Sequence, residues 1–99
     1  SNNTVDSSEW IEFTFPSAMN DVSYYVNMAG QGGGGQVGER TLEAWGAGGT
    51  FLGSVDHNST GTYSVSDSFG GAAIQRFRLS MQDNDRIRVG SVTRKLPCP

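Results

Sequence analysis

The chain has 99 residues, enough for one domain with one modest core. Fourteen glycines, abundant Ser and Thr, a single Lys and four Glu argue against a helical protein and for an all-β one. A net charge of −3, with no apolar run near the roughly 20 residues of a membrane span, argues against a strongly basic nucleic-acid binder and excludes a membrane-spanning helix within this stretch.

In chain order, residues 1–8 are polar and turn-rich and read as a flexible lead-in. Residues 10–15 alternate, with Ile11, Phe13 and Phe15 on one face and Trp10, Glu12 and Thr14 on the other. This predicts a half-buried strand ended by Pro16. Residues 17–21 read as a turn. Residues 22–28 read as a strand with Val22, Tyr24, Val26 and Met28 inward and Ser23, Tyr25 and Asn27 outward. Residues 29–38, AGQGGGGQVG, read as a loop.

The clearest signal is residues 41–55, TLEAWGAGGTFLGSV. Thr41, Glu43 and Trp45 alternate with Leu42 and Ala44. Gly46, Gly48 and Gly49 are expected to supply the positive φ angles of a tight reversal, and Phe51, Leu52 and Val55 then resume an apolar strand. Residues 56–61, DHNSTG, read as a turn. Residues 62–66 read as a short strand with Tyr63 and Val65 on one face, and 67–71 as a turn. Over 73–81 the apolar spacing slips by one residue. A β-bulge near Gln75 and Arg76 is needed to turn Ile74, Phe77, Leu79 and Met81 inward together. After a turn at 82–85, the last strand, 86–94, needs a similar shift at Gly90-Ser91 for Ile87, Val89 and Val92. Seven short strands with turn signals between them predict a two-layer antiparallel β-sandwich over 9–95, jelly-roll or immunoglobulin-like, with 96–99 as a tail.

Charge is divided along the chain. Up to Ser68, eight acids face Arg40 alone; beyond it, six bases face Asp83 and Asp85. The expectation is that the basic C-terminal strands lie beside acidic ones and pair across the sheet. The bases lack the aromatic interleaving of a nucleic-acid platform. Cys98 is the single cysteine, so the chain holds no internal disulfide. No initiator Met and no signal-peptide pattern stand at Ser1, so the sequence reads as a processed product or an excised domain.

Few residues carry obvious chemistry. Gly30, Gly32 and Gly35 satisfy G-x-G-x-x-G, but a strand-like rather than helical stretch follows and no P-loop Lys-Ser/Thr is present, so a loop is expected there. His57, the only histidine, is expected in a surface turn, with no nucleophile-elbow pattern to serve. One His and one Cys make a zinc site poorly supported. Asp83-Asn84-Asp85 is an oxygen-rich turn, so Asp83 and Asp85 are candidate calcium ligands, with an ordinary Asx turn as the competing reading. No other cofactor is indicated. Trp10 and Trp45 fall on the outward phase of strands whose inward phase is already apolar. An outward aromatic offers a flat face to sugar C–H groups, and polar neighbours can bond hydroxyls. Trp45, Trp10, Tyr25, Glu43 and Asn27 are therefore the candidate ligand-binding residues.

The succession of WIEFTFPSAMNDVSYYV, a glycine loop, TLEAWGAGGTFLGSV, GTYSVSDSFGGAAIQRFRLSM and DNDRIRVGSV resembles the C-terminal part of secreted bacterial jelly-roll, galactose-binding-like domains of the kind found in proteins carrying a PEP-CTERM sorting tail. Ile11, Phe13 and Phe15 match the family's first element, and Thr41, Leu42, Ala44, Gly49, Leu52 and Gly53 its hairpin. Ile74 and Phe77 match the penultimate strand, and Val89 and Val92 the last. The resemblance implies a secreted or cell-surface module, related in architecture to carbohydrate-binding modules. The expected function is a non-catalytic extracellular domain that is carbohydrate-binding or adhesive, with a polysaccharide or cell-surface glycan as partner. The competing expectation is an assembly module that pairs through open sheet edges and outward aromatics, as a homo-oligomer or with a neighbouring domain.

Overall fold

The computed structural model describes residues 4–5, 9–28, 39–58, 60–81 and 87–95. The strands are β1 (Thr4–Val5), β2 (Trp10–Met28), β3 (Arg40–Trp45), β4 (Phe51–His57), β5 (Gly61–Ser64), β6 (Ile74–Met81) and β7 (Ile87–Lys95). A 3-10 turn (Ala47–Gly49) and one short helix, α1 (Val65–Ser68), complete the set. The protein is all-β and its pairings are antiparallel, as expected. The strands hydrogen-bond in the order β1-β7-β2-β6-β3-β4, with β5 also against β2, as one curled sheet.

β2 makes the curl. A strand of its length would span roughly 60 Å if straight, yet the longest dimension of the molecule is 46 Å. It therefore bends, and it serves two halves of the sheet. Trp10–Thr14 pairs with β6, from Trp10↔Ser80 to Thr14↔Arg76. Ser23–Val26 pairs with β5 on one side and, within a ladder reaching Met28↔Ile87, with β7 on the other.

The corner lies between these ladders. Pro16, expected to end a strand, sits where the β6 ladder is interrupted between Thr14 and Met19, so its missing N–H breaks no cross-strand bond. The expected turn at 17–21 is thus the bend of a continuous strand, and Met19 is buried in the core. Asp21 takes the left-handed turn, at φ 50°. Side chains meet the corner's backbone groups. Gln75 Nε2 donates to the carbonyls of Phe15 (3.5 Å) and Pro16 (3.4 Å), and Val22 N–H donates to Ser66 Oγ (3.0 Å).

The inward phase follows the alternation read from sequence. Val22, Tyr24 and Val26 are buried in one half; Leu42, Ala44, Ile74, Phe77, Leu79 and Met81 are buried in the other. Ile11, Phe13 and Phe15 pack against them, Phe13 stacking on Phe77 at 5.1 Å. The irregularity expected near Gln75 and Arg76 is present, although the additional residues lie in β2. The shift at Gly90-Ser91 is present too: Tyr25 pairs with Ser91 and Val26 with Val89, leaving Gly90 between them. A Cβ on Gly90 would stand 2.9 Å from the Tyr25 ring, so the tyrosine lies directly over the glycine.

Three further expectations change. Thr4 and Val5, assigned to the lead-in, pair with Arg88 and Ile87. The strand expected through residue 66 stops at Ser64, because Ser64 Oγ accepts the Asp67 N–H (2.9 Å) and caps α1. In the β3–β4 reversal Gly48 and Gly49 have positive φ but Gly46 does not. Gly46 takes an extended conformation, and a Cβ there would make an ordinary contact with the Ala73 carbonyl at 3.4 Å.

Candidate functional site

Two clusters combine arginine with aromatic rings. The first is inside. Arg40 stands on the same phase of β3 as Leu42 and Ala44, and its side chain is fully buried. Its guanidinium lies 4.8 Å from the Tyr63 ring centre and 5.3 Å from that of Tyr24. Arg40 Nε donates to Tyr24 Oη (2.9 Å), which is 2.6 Å from His57 Nδ1. His57 Nε2 is 3.2 Å from Ser68 Oγ, and that hydroxyl donates to the Ser64 carbonyl (2.7 Å).

The proton positions follow from the two ends of this chain. Arginine can only donate and a carbonyl can only accept. Ser68, having given its hydrogen to Ser64, accepts from His57 Nε2–H. His57 Nδ1 is then bare and accepts from the Tyr24 hydroxyl. The bonds run in one direction, from Arg40 to Ser64, through a neutral imidazole. Burial first, and the Arg40 charge second, hold His57 below its usual 6.5, while Asp56 opposes them. Burial likewise pushes the Tyr24 phenol up to about 12 against the pull of Arg40. His57 is thus not a surface-turn residue. It closes β4 and stacks on Tyr63 at 4.7 Å. Its polarity toward Ser68 is the reverse of a base drawing a proton from a nucleophile.

The second cluster lies on the outer face of β2, β6, β3 and β4. Cross-strand register places Glu12, Arg78, Glu43 and Ser54 in one row, and Thr14, Arg76 and Trp45 in the next. Arg78 holds Glu12 Oε1 through Nε (3.0 Å) and Nη2 (2.9 Å). Its guanidinium centre is 4.5 Å from the Trp10 ring, and that of Arg76 is 4.0 Å from Trp45. The basic C-terminal strand β6 therefore pairs with acids across the sheet, and Lys95 of β7 likewise lies 3.6 Å from Asp21. Beside Trp45 is a groove of about 420 Å³, bordered by Glu12, Thr14, Gln75, Arg76 and the glycines of the β3–β4 turn. Gln75 is fixed at its rim, with Oε1 accepting the Gly48 N–H (3.3 Å). Trp10 and Phe51, both more than half exposed, flank this face, and Phe51 leans on Trp45 at 5.4 Å.

The structure brings Trp10, Trp45 and Glu43 onto one face, with Trp45 at the groove. Tyr25 and Asn27 stand beyond the bend, in the half of β2 that pairs with β7, and bond to each other (Oη to Oδ1, 3.1 Å). Asp83, Asp85, Cys98 and the glycine run 30–38 lie outside the described residues. Among the described residues no group of three or more His, Cys, Asp or Glu is arranged to hold a metal ion. Arg40, Arg76, Arg78 and Gln75 were not among the residues singled out from sequence for these clusters. For Arg40 the signal was present, since it shares the parity of Leu42 and Ala44. A scan against protein-family models finds no match, and comparisons with curated proteins and with solved structures find nothing similar.

Proposed function

We propose that this is a non-catalytic extracellular β-sandwich module that binds carbohydrate on the outer face of β2, β6, β3 and β4. The observation that carries the reading is the groove at Trp45, where an aromatic wall meets a carboxylate, a hydroxyl, an amide and a guanidinium within one shallow space. Its volume falls within the range of small-molecule sites. Planar polar side chains beside an indole suit a ligand with both hydroxyl edges and C–H surfaces. The two halves of the curled sheet, closed over a common core, act in this reading as the two layers of the sandwich. The resemblance to secreted bacterial galactose-binding-like domains supports the same reading and a place outside the cell.

The test is tryptophan fluorescence during titration with a panel of oligosaccharides. A ligand is expected to change the emission saturably, and Trp45→Ala is expected to abolish binding while keeping the melting temperature near that of the parent. Undiminished binding by a folded Trp45→Ala variant removes the groove from consideration.

A second reading rests on Trp10 and Phe51, whose exposure on one face suits contact with a second copy or a neighbouring domain. β4 pairs only with β3 among the described strands, but its positive-φ Gly53 and the register shift beside Trp45 bulge that edge, which disfavours strand addition. Light scattering coupled to size exclusion separates the two readings. A monomer leaves the face to a ligand, and a stable dimer that Trp10→Ser dissociates assigns it to assembly.

A further inference from the structure

We infer that the groove selects an acidic sugar, with the Arg76 guanidinium receiving the carboxylate of a uronic acid unit; this rests on the carbohydrate reading and names its ligand class. Three observations lead there. Trp45 borders the groove with part of its ring already in contact. The Arg76 guanidinium lies 4.0 Å from its centre and Phe51 leans on it at 5.4 Å, so the charged recognition group beside the indole is the guanidinium. Among the described residues the one carboxylate bordering the groove, Glu12, is engaged by Arg78 through two bonds to Oε1. Its other oxygen is 3.7 Å from Arg76 Nη1, beyond hydrogen-bond length.

Arg76 therefore borders the groove as a cation that donates no hydrogen bond among the described residues. Its guanidinium carbon rests 4.0 Å from the indole centre, and its side chain is about one third exposed. A planar fork held in this way matches a carboxylate, which can take two parallel N–H bonds. A neutral sugar leaves those donors to water. An acidic one exchanges water for a charge-assisted pair next to a ring that already favours positive charge above its face.

The experiment compares oligomers of galacturonate, glucuronate and mannuronate with their methyl esters, which keep the backbone and lose the charge. Binding is read by calorimetry at low and at high NaCl. At least one acid is expected to bind about tenfold more tightly than its ester, with a preference that shrinks at high salt. In Arg76→Gln the preference is expected to vanish. Arg88→Gln makes the same change in net charge on β7 and keeps the preference. Equal binding of acid and ester overturns the charge selection and leaves the carbohydrate reading in place. Loss of the preference in Arg88→Gln as well assigns it to overall charge and overturns the role of Arg76. Binding of neither form, with the proteins folded, overturns both the inference and the site it rests on.

Discussion

Arg40 and Arg76 stand on adjacent strands, each against aromatic rings, and do opposite work. Arg40 is fully buried, and it starts a file of hydrogen bonds that ends on a backbone carbonyl. Arg76 is partly exposed, bordering a groove, and makes its closest charged contact at 3.7 Å. The residue type and the ring contact are shared; what differs is access, since Arg40 is sealed from solvent and Arg76 is about one third exposed. An arginine whose environment is closed in this way can only specify structure. One that is oriented but still reached by solvent is prepared for something outside the chain. Phase along the strand decides which is which. Arg40 takes the inward parity of β3, and Arg76 lies in the outward row opposite Trp45.

The largest expected effect is at Arg40. Arg40→Ala removes the donor to Tyr24 and leaves a gap against the stacked Tyr24 and Tyr63 rings, and it should lower unfolding stability by about 3–5 kcal/mol. The matched change Arg76→Ala should cost no more than about 1 kcal/mol, because its contacts are partly hydrated. Urea unfolding of both variants measures the difference directly. Similar losses would erase the distinction between a structural and an available arginine.

Acid should act on the inner cluster through His57. His57 is neutral when folded and held below its usual 6.5, so between those two values the unfolded chain binds a proton that the folded one refuses. Stability is therefore full above pH 6.5 and falls as pH drops through that window, by at most about 1 kcal/mol per pH unit given the partial exposure of the ring. The protonated imidazole would place Nδ1–H against a Tyr24 oxygen already receiving Arg40, and a second cation close to the first. Melting temperatures of the parent and of His57→Gln at pH 7.0 and 5.5 test this. The parent should lose stability and the variant should lose less. Equal losses would show that the titration belongs to other groups.

How far this division could be read in advance depends on the reach of each signal. Alternation is local, and it gave the inward residues of β2, β3, β6 and β7 whose burial is described, the hairpin around Trp45, and the shifts near Gln75 and at Gly90; the inward call for Met28 lies outside the described side chains. It also gave Trp10, Trp45 and Glu43 a common outward phase. It failed at the β2 corner, because Pro16 normally ends a strand and nothing local says that the β6 ladder is interrupted there. It failed at His57 for a related reason. A histidine after aspartate in a polar stretch looks solvated, and only the pairing of β2 with β5 brings Tyr24, Tyr63 and Ser68 to it. Arg40 enters the sequence reading only as a charge: its parity points inward, but a charge is seldom placed there without visible compensation. The Ser64-to-Asp67 cap was legible in principle, since Ser followed three residues later by an acid is a helix-start signature, yet the preceding alternation suggested a longer strand.

The smallest expected effect tests the outer face most sharply. Glu12 and Arg78 are directly opposite in the ladder and joined by two bonds to one oxygen, with side chains 22% and 30% exposed. A double-mutant cycle with Glu12→Gln and Arg78→Gln should return a coupling of about 0.5–1 kcal/mol, falling as salt is raised. A coupling several times larger and insensitive to salt would mean that this face is held as tightly as the interior, and the contrast with Arg40 would collapse. The cycle also reaches the ligand. Glu12 Oε2 lies 3.7 Å from Arg76 Nη1, so Glu12→Gln removes a negative charge competing for that guanidinium. Affinity for an acidic sugar should rise in this variant even as stability falls slightly. Opposite signs for stability and binding at one residue are what separates a face kept for a ligand from a face kept for the fold.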